Sequence, residues 1–214
     1  MQIAERLYGR IKSRALTARQ EKLFKTLLPE IRIREYPKIE HTKFEIGFGR
    51  GEYITNLALK NPDCLYVGSE PFINGIASLL VKIDEYVIRN IRIFPDDARK
   101  LLGTIPDNHV DEVHLMFPDP WPKRKHIERR FVNECNIKEI YRILTKTNGI
   151  WKIASDHEVY QAYILKMFEN FQDLFKLTEM YNKNNRPSEE IWPKTRYEMK
   201  AVLGEALFLI YKKK

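Results

Sequence analysis

Short apolar segments alternate with amphipathic helical segments over most of the chain, and this alternation constrains the fold more than any other feature. Each of five predicted strands is followed by a predicted helix, which is the pattern of repeated βαβ units. Such units place parallel strands side by side through right-handed crossovers. The predicted strands are 43–49, 64–70, 91–94, 110–117 and 149–155, and the predicted helices are 52–60, 73–87, 98–102, 131–144 and 158–168.

The C-terminal part of the chain departs from this alternation. Residues 174–180 and 200–211 both have the composition of strands, and no helix is predicted between them. Two such strands are expected to pair antiparallel at one edge of the sheet. We therefore predict an α/β, Rossmann-like fold with a mostly parallel twisted sheet, helices on both faces and an antiparallel C-terminal edge.

Positive charge is concentrated near the N-terminus of a basic chain. Residues 1–30 hold seven Lys or Arg against three Asp or Glu, and the 214-residue chain has a formal net charge of +8. A helix is predicted from about Thr17 until Pro29 ends it. We predict a basic N-terminal arm and helix over 1–30 and one main domain over 31–214. The arm is expected either to pack as a solvated helix or to contact a polyanion, and a basic excess most often indicates nucleic acid.

Cysteine usage, histidine spacing and hydropathy exclude several classes of protein. Cys64 and Cys135 are not in a Cys-x-x-Cys motif, so they are expected to be reduced, buried thiols in a reducing compartment. The five histidines are scattered, which argues against a metal site. No segment approaches the roughly 20 apolar residues that span a bilayer. The sequence therefore predicts a cytoplasmic protein with no membrane partner and no metal, as a monomer or a homodimer.

A glycine-rich loop joins the first predicted strand to its helix in the segment FEIGFGRGEY. Gly47, Gly49 and Gly51 allow the backbone to turn tightly and to approach a ligand at the carboxyl end of the strand. The dinucleotide fingerprint Gly-x-Gly-x-x-Gly is not met, because its sixth position is Glu52. The spacing Gly-x-Gly-x-Gly, preceded by Glu45, is typical of enzymes that bind S-adenosylmethionine (SAM). The cationic methionine end of SAM favours a nearby carboxylate.

Acidic residues follow the next two predicted strands. Glu70 ends the second strand, where a carboxylate can accept hydrogen bonds from both ribose hydroxyls of a nucleoside. Asp97 follows the third strand and is a candidate for contact with the adenine amino group, and Asp96 is the adjacent alternative. The competing interpretation is that these acids cap the helices that follow them.

The segment MFPDPWPKRKH follows the fourth strand and has Pro at every second position of its first half. Neither a helix nor an inner strand accepts this spacing, so we predict a rigid irregular loop. Pro118, Pro120 and Pro122 restrict the backbone before any substrate binds and present the Asp119 carboxylate at a fixed place. Trp121 offers a flat face for stacking or packing. The order Asp-Pro-Trp differs from the Asp/Asn-Pro-Pro-aromatic loop of adenine amino-methyltransferases, which argues against an exocyclic amine as the target.

A basic segment, Lys123–Arg130, completes this region. Five of its eight residues are Lys or Arg, and His126 is a sixth possible donor. Because the segment adjoins the proposed reaction site, we predict that it binds RNA phosphates. The neighbouring tryptophan also suits stacking on a base that is turned out of its helix.

Together these segments resemble the bacterial tRNA (guanine-N7)-methyltransferase family, whose members are SAM-dependent class I methyltransferases. The resemblance runs across nearly the whole chain, and FPDPWPK is its most specific part. It implies transfer of a methyl group from SAM to N7 of the variable-loop guanine, position 46, of tRNA, giving 7-methylguanosine. The matching motifs are FEIGFGRG, VGSEP, DDARKLL, FPDPWPKRKHIERR, IASDHEVY and TRYEMKA, with GRIKSRALTARQEKL as a basic N-terminal arm.

The resemblance also implies roles for individual residues. Asp119 is the implied catalytic residue. Two positions depart from the family pattern: Glu128 stands where a basic residue is usual, and Pro71 follows the ribose-binding acid. Asp156 precedes a predicted helix and has helix capping as its alternative. The implied SAM contacts are Glu45, Glu70, Asp97 and Asp119, and the implied tRNA contacts are Lys123, Lys125, His126, Arg129, Arg130, Asp156, Thr195, Arg196, Tyr197 and Glu198.

Overall fold

The structure is a computed structural model of the chain, and it describes residues 11–39, 41–193, 198 and 204–214. The described residues form two compact units, one ending at Pro106 and the other beginning at Asp107. The division into 1–30 and 31–214 stays a prediction. In the described ranges, no helix has the length and apolar character that crossing a membrane requires.

Helices and strands alternate in the first unit after two N-terminal helices. The strands are all parallel: β1 pairs with β2, and β2 pairs with β3. Fully buried Phe44 and Val67 lie opposite each other in this sheet, as expected for parallel strands covered on both faces. The elements of this unit are α1 (Ala18–Thr26), α2 (Leu28–Ile31), β1 (Thr42–Ile46), α3 (Glu52–Lys60), β2 (Leu65–Ser69), α4 (Ile73–Tyr86), β3 (Ile91–Phe94) and α5 (Ala98–Leu102).

The N-terminal helix begins where the sequence predicts but ends differently. The Thr17 side chain accepts a hydrogen bond from Gln20 N, and the Gln20 side chain accepts one from Thr17 N, which is a capping box. The helix then ends at Thr26, before Pro29. Pro29 lies instead in the first turn of α2, where the missing N–H would have no helical partner in any case. The prediction that Pro29 ends the first helix is therefore wrong.

The second unit contains a mixed sheet. β4 and β5 are parallel, β5 pairs antiparallel with β7, and β7 pairs antiparallel with β6. The predicted α/β class and its antiparallel C-terminal edge are thus confirmed. Short 3₁₀ helices span Arg124–Arg129 and Lys183–Asn185. The other elements of the unit are β4 (Val110–Met116), α6 (Glu134–Ile143), β5 (Ile150–Ser155), α7 (Glu158–Glu169), β6 (Phe175–Tyr181) and β7 (Leu207–Lys213).

Aromatic side chains fill the core of the second unit. Trp151 on β5 is fully buried, with ring centroids 5.4 Å from Phe168 and 6.0 Å from Phe175. Phe168 on α7 stacks on Tyr211 of β7 at 3.7 Å. Such pairs contribute about 0.5–1.5 kcal/mol each beyond the burial of their area. They fix α7 on the sheet, and α7 in turn supports the site described below.

The burial of the two cysteines differs from the prediction. Cys64 and Cys135 are both free thiols, as predicted. Both are half-buried rather than buried, and the Cys64 thiol makes weak hydrogen bonds to the backbone carbonyls of His41 and Leu65.

Candidate functional site

The glycine loop between β1 and α3 has a left-handed backbone at each of its glycines. The φ angles are 69° at Gly47, 55° at Gly49 and 72° at Gly51, in a region that only glycine occupies without strain. At Gly51 a Cβ would also lie 2.6 Å from the Leu79 side chain, so packing forbids a larger residue. At Gly47 a Cβ would meet nothing within 4 Å. The loop is therefore packed at its α3 end and open at Gly47, where a ligand can approach the backbone.

Sequence reasoning missed a fourth glycine that belongs to this site. Gly75 lies in the first turn of α4, and a Cβ there would stand 2.3 Å from the carbonyl oxygen of Gly49. The helix and the loop can approach this closely only because Gly75 lacks a side chain. An isolated glycine inside a helical pattern is a known signal of such an approach, and it was present in the sequence.

The Glu70 carboxylate fastens the glycine loop to α4. Its Oε2 accepts a hydrogen bond from Gly49 N at 2.7 Å, and its Oε1 accepts one from Phe72 N at 2.9 Å. Each carboxylate oxygen can accept more than one hydrogen bond. Glu70 thus shapes the loop and can also accept bonds from two ribose hydroxyls, as its position after β2 predicts.

Glu45 places a buried acid behind the same loop. The residue is 3% exposed, and Oε2 has no hydrogen-bond partner among the described residues. Burial and the neighbouring charge of Glu70 raise the pKa of Glu45 to about 8, although a hydrogen bond from Ile54 N opposes the shift. A buried polar atom without a partner is uncommon, and a cation against it would satisfy it. The buried Glu45 side chain with its unpartnered oxygen therefore fits the cationic methionine end of SAM.

The two aspartates after β3 are engaged within the protein. Asp97 caps α5: its Oδ1 accepts hydrogen bonds from Arg99 N and Arg99 Nε, each at 2.9 Å, and its Oδ2 pairs with the same guanidinium. Asp96 pairs with Lys100 at 2.9 Å. Although partial burial opposes it, the hydrogen bonds from Lys100 and from Asp97 N lower the pKa of Asp96. The capping interpretation of Asp97 is thus observed, and its contact with adenine stays a prediction.

The proline loop after β4 is strained at two bulky residues. Phe117 has φ 50° and Trp121 has φ 42°, and a left-handed backbone costs about 1–2 kcal/mol at such residues. Conformations of this kind cluster at functional sites. Between them, Asp119 is exposed and makes no hydrogen bond or ion pair with any described residue. Neighbouring protein atoms partly desolvate its carboxyl, which raises the pKa of Asp119 above its ordinary value.

Arg130 supports this loop from inside the protein. The residue is 3% exposed. Its Nε donates to Pro120 O at 3.0 Å and its Nη2 donates to Trp121 O at 3.3 Å. The guanidinium carbon lies 4.4 Å from the ring centroid of Tyr163 and 5.3 Å from that of Tyr160, both on α7. These contacts turn Arg130 towards the loop and α7, away from the solvent in which a phosphate would be met.

The rest of the basic segment lies on the surface around Trp121. The Trp121 ring meets His126 edge-on at 5.7 Å, and the Arg129 guanidinium lies 5.0 Å from its centroid. Desolvation, together with the charges of Arg129, Lys125 and Lys123, lowers the pKa of His126 below its ordinary value. Lys123 and Lys125 are exposed and have no ion-pair partner among the described residues. This surface combines an aromatic ring with cations, as RNA recognition requires.

Asp156 and the C-terminal motif have different surroundings. Asp156 follows β5, is half-buried and makes no side-chain hydrogen bond with a described residue. The N-cap of α7 is His157, without a side-chain cap, so the capping alternative for Asp156 is not observed. Glu198 pairs with Arg186, whose Nη2 lies 2.9 Å from Oε2, a partner that sequence reasoning missed. The remaining residues of the motif, Thr195, Arg196 and Tyr197, lie outside the described residues.

Comparison with known proteins decides the family. A family model described as putative methyltransferase matches residues 40–207. A tRNA (guanine-N(7)-)-methyltransferase of Granulibacter bethesdensis is 40% identical over 92% of this chain and 89% of its own length. The enzyme of the same name from Zymomonas mobilis is 37% identical over 92% of this chain and 88% of its own. The chain belongs to the tRNA (guanine-N7)-methyltransferase family.

Solved structures agree with this family at the level of the fold. The 16S rRNA methyltransferase KamB covers 89% of this chain and 92% of its own, with a TM-score of 0.58 at 11% identity. A putative methyltransferase from Streptococcus mutans, solved in complex with SAH, covers 93% of this chain and 100% of its own, with a TM-score of 0.52 at 12% identity. The predicted Rossmann-like class I methyltransferase fold is confirmed, and the family is one of SAM-dependent enzymes.

Proposed function

We propose that the protein transfers a methyl group from SAM to N7 of a guanine in tRNA, and that this guanine is the variable-loop guanine at position 46. The observation that carries the proposal is the unpartnered Asp119 carboxylate on a strained proline loop, in a chain of this family. A tRNA substrate also accounts for the net charge of +8. It agrees with the cytoplasmic location that the sequence predicts.

The reaction needs alignment and electrostatic stabilisation rather than a general base. Guanine N7 has an in-plane lone pair and carries no proton, so no proton has to be removed before it attacks. When bound, SAM supplies a sulfonium methyl group: a bond from N7 to carbon forms, the bond from carbon to sulfur breaks, and its electron pair stays on sulfur. Positive charge thus moves to the purine. Groups that hold the base in line and carboxylates that follow this charge would supply the rate enhancement.

The first unit supplies the proposed SAM contacts. Glu45 would hold the cationic methionine end through its unpartnered Oε2, and Glu70 would accept hydrogen bonds from the ribose hydroxyls. Gly47 lets the backbone approach the cofactor closely. Asp97 would accept a hydrogen bond from the adenine amino group while its carboxylate stays paired with Arg99. These groups bind and orient the cofactor. Because its pKa is raised to about 8, Glu45 keeps a proton near pH 7 in the ligand-free protein and would release it when the cationic group binds.

The second unit supplies the proposed guanine and tRNA contacts. Asp119 would accept hydrogen bonds from the N–H edge of guanine and stabilise the cationic product, with Asp156 in a similar role. Lys123, Lys125 and Arg129 would bind phosphates, and Trp121 would stack on the base, supported by His126. The contacts of Thr195, Arg196, Tyr197 and Glu198 with tRNA stay predictions.

Arg130 receives a different role from the one that the resemblance implies. Its guanidinium donates hydrogen bonds to the carbonyls of Pro120 and Trp121 and packs on the tyrosine rings of α7. We propose that Arg130 is a positioning residue, which holds the backbone directly after Asp119, at Pro120 and Trp121, in the form that presents the carboxylate.

One experiment tests the proposed function directly. The purified protein is incubated with unmodified tRNA and SAM labelled in its methyl group, and the digested product is analysed by mass spectrometry of nucleosides and of RNA fragments. We expect label only in 7-methylguanosine, in the fragment that contains the variable loop. Label in another nucleoside, or in protein, would refute the proposal. Asp119→Ala serves as the control for a contaminating enzyme and should lower product formation by about a hundredfold or more.

A further inference from the structure

One side chain fastens the N-terminal segment Ile11–Arg14 to the first turn of α4. Asn74 Oδ1 accepts a hydrogen bond from Ser13 N at 2.9 Å, and Asn74 Nδ2 donates one to Arg14 O at 2.9 Å. A further bond joins the two backbones, from Ile73 N to Ile11 O, at 2.8 Å. The segment therefore has a defined backbone position, although its own side chains are exposed.

The same turn of α4 adjoins the glycine loop. Gly75, one residue beyond Asn74, is the position whose Cβ would stand 2.3 Å from Gly49 O. Arg50 is the next residue of that loop, and its carbonyl accepts a hydrogen bond from Lys82 Nζ on α4 at 3.0 Å. The segment Ile11–Arg14 and Gly49, the neighbour of Arg50, thus both meet the first turn of α4 beside the proposed SAM site, while Arg50 itself contacts Lys82 further along the helix.

Three exposed cations on these two pieces of backbone have no ion-pair partner among the described residues: Lys12, Arg14 and Arg50. Arg19 on α1 shows the contrast, because its guanidinium pairs with Asp84 at 2.9 Å. Unpaired cations on fixed backbone suit phosphate binding, because cations that neutralise RNA phosphates release the counterions that were bound to them. Since the backbone already has a defined position, binding has to order little of it. No acidic residue lies within the segment Ile11–Arg14 itself.

We propose that Lys12, Arg14 and Arg50 form a further RNA-binding surface on the first unit, positioned by Asn74, that contacts backbone phosphates of the tRNA substrate. The proposal rests on the proposed function for the identity of its ligand. Its residues belong to the first unit, whereas the basic segment Lys123–Arg130 belongs to the second. A purely structural role, in which the segment only covers the first turn of α4, is the outcome that the test must exclude.

The test compares two double variants that each replace two cationic side chains with neutral ones and so lower the net charge equally. The double variant Lys12→Gln, Arg14→Gln removes two cations of the surface. The control double variant Lys22→Gln, Lys25→Gln removes two exposed lysines of α1 that also lack an ion-pair partner among the described residues. For each protein, the Kd for unmodified tRNA is measured at several salt concentrations between about 50 and about 200 mM, without SAM. SAM affinity, measured by calorimetry, reports whether the fold is intact.

We expect the Lys12, Arg14 variant to bind tRNA more weakly and to lose about one to two units from the slope of log Kd against log salt. The control should change the slope by less than half of that amount, and SAM affinity should stay the same in both. Arg50→Gln should lower the slope by a further unit at most. An equal slope change in the two double variants, or no change in either, would refute the proposal that Lys12 and Arg14 bind tRNA phosphates.

Asn74→Ala separates position from charge, because it keeps every cation. We expect tRNA affinity to fall about threefold to tenfold at low salt, since the segment must then be ordered on binding. Unchanged affinity in this variant would overturn the positioning by Asn74. The proposed function fails separately: wild-type protein that binds tRNA but forms no 7-methylguanosine would refute the function and leave the surface intact. Normal methylation with an unaltered salt slope in the Lys12, Arg14 variant would refute the surface alone.

Discussion

Replacing Arg130 with Lys should slow methyl transfer without weakening the electrostatic attraction of tRNA. The variant keeps the positive charge but removes the fork that reaches two carbonyls at once, Pro120 O and Trp121 O. It also removes the flat guanidinium that packs on Tyr163 at 4.4 Å. A phosphate-binding arginine would tolerate the change better, because lysine also binds phosphate as a point charge.

The size of the effect follows from the strain that the loop carries. Left-handed backbone at Phe117 and Trp121 costs about 2–4 kcal/mol together, which other contacts must offset. The Arg130 guanidinium donates hydrogen bonds of about 1.5–3 kcal/mol each and a cation–π contact of about 0.5–2 kcal/mol. Lysine can recover one of the hydrogen bonds, so about 2 kcal/mol of support is lost. Since about 1.4 kcal/mol corresponds to a factor of ten, kcat should fall roughly thirtyfold.

The assay is steady-state methylation of unmodified tRNA, with Kd for tRNA measured across a salt series. Arg124→Lys is the matched control, because Arg124 is exposed and has no ion-pair partner among the described residues. We expect Arg130→Lys to lower kcat while the salt slope stays at the wild-type value, and Arg124→Lys to change neither. The reasoning is refuted if Arg130→Lys keeps its kcat, or if its main defect is a weaker, less salt-dependent affinity for tRNA.

Three further predictions concern the proposed ligand contacts. Because the pKa of Glu45 is raised to about 8, the folded state keeps a proton that the unfolded chain releases, and the stability of the protein falls as pH rises from about 4.5 to about 8. The difference in Tm between wild type and Glu45→Gln should therefore change over this interval and stay constant above it. Asp119→Ala should reduce kcat by about a hundredfold or more and change SAM affinity by much less, and equal losses in both quantities would contradict its role. Lys123→Gln with Lys125→Gln should lower the salt slope of tRNA binding by about one to two units, and an unaltered slope would place the RNA elsewhere.

The alternation of strands and helices could be predicted because it depends on the pattern of apolar residues within each short segment of the sequence. α3 (Glu52–Lys60), β3 (Ile91–Phe94) and α5 (Ala98–Leu102) have the predicted bounds to the residue. Errors arose where one residue ends a regular pattern. The strand predicted to Gly49 ends at Ile46 because the glycines that follow turn into the left-handed region. The helix predicted from Phe131 begins at Glu134 because the Asn133 side chain caps it, accepting a hydrogen bond from Asn136 N.

The candidate site was predictable where glycine and proline determine the backbone, and unpredictable where a long side chain can point in two directions. The glycine loop and the Asp119 loop follow from residue type alone. The sequence of the segment Lys123–Arg130 indicates a continuous basic surface, yet Lys123 is exposed and Arg130 is buried. Composition cannot distinguish the exposed Lys123 from the buried Arg130, because the burial of Arg130 depends on Tyr160 and Tyr163, which lie about 30 residues further along the chain.

The acids of the proposed site divide into two groups by their partners, and the division matches the proposed chemistry. Asp97 and Glu198 are neutralised within the protein by Arg99 and Arg186. Glu45 and Asp119, in contrast, have oxygens without a partner among the described residues, and desolvation raises the pKa of each.

Desolvation disfavours the charged form of both groups, strongly at the buried Glu45 and partly at the exposed Asp119, and an arriving cation offsets this cost. In the proposed reaction a cation arrives at each of them: the methionine end of SAM at Glu45 and the methylated guanine at Asp119. Because the second cation exists only as the methyl group is transferred, attraction to Asp119 is stronger in the transition state than in the bound substrates. A carboxylate with an internal partner would have lost that difference, which is why Arg130 must hold the loop through its backbone carbonyls and leave the Asp119 side chain alone.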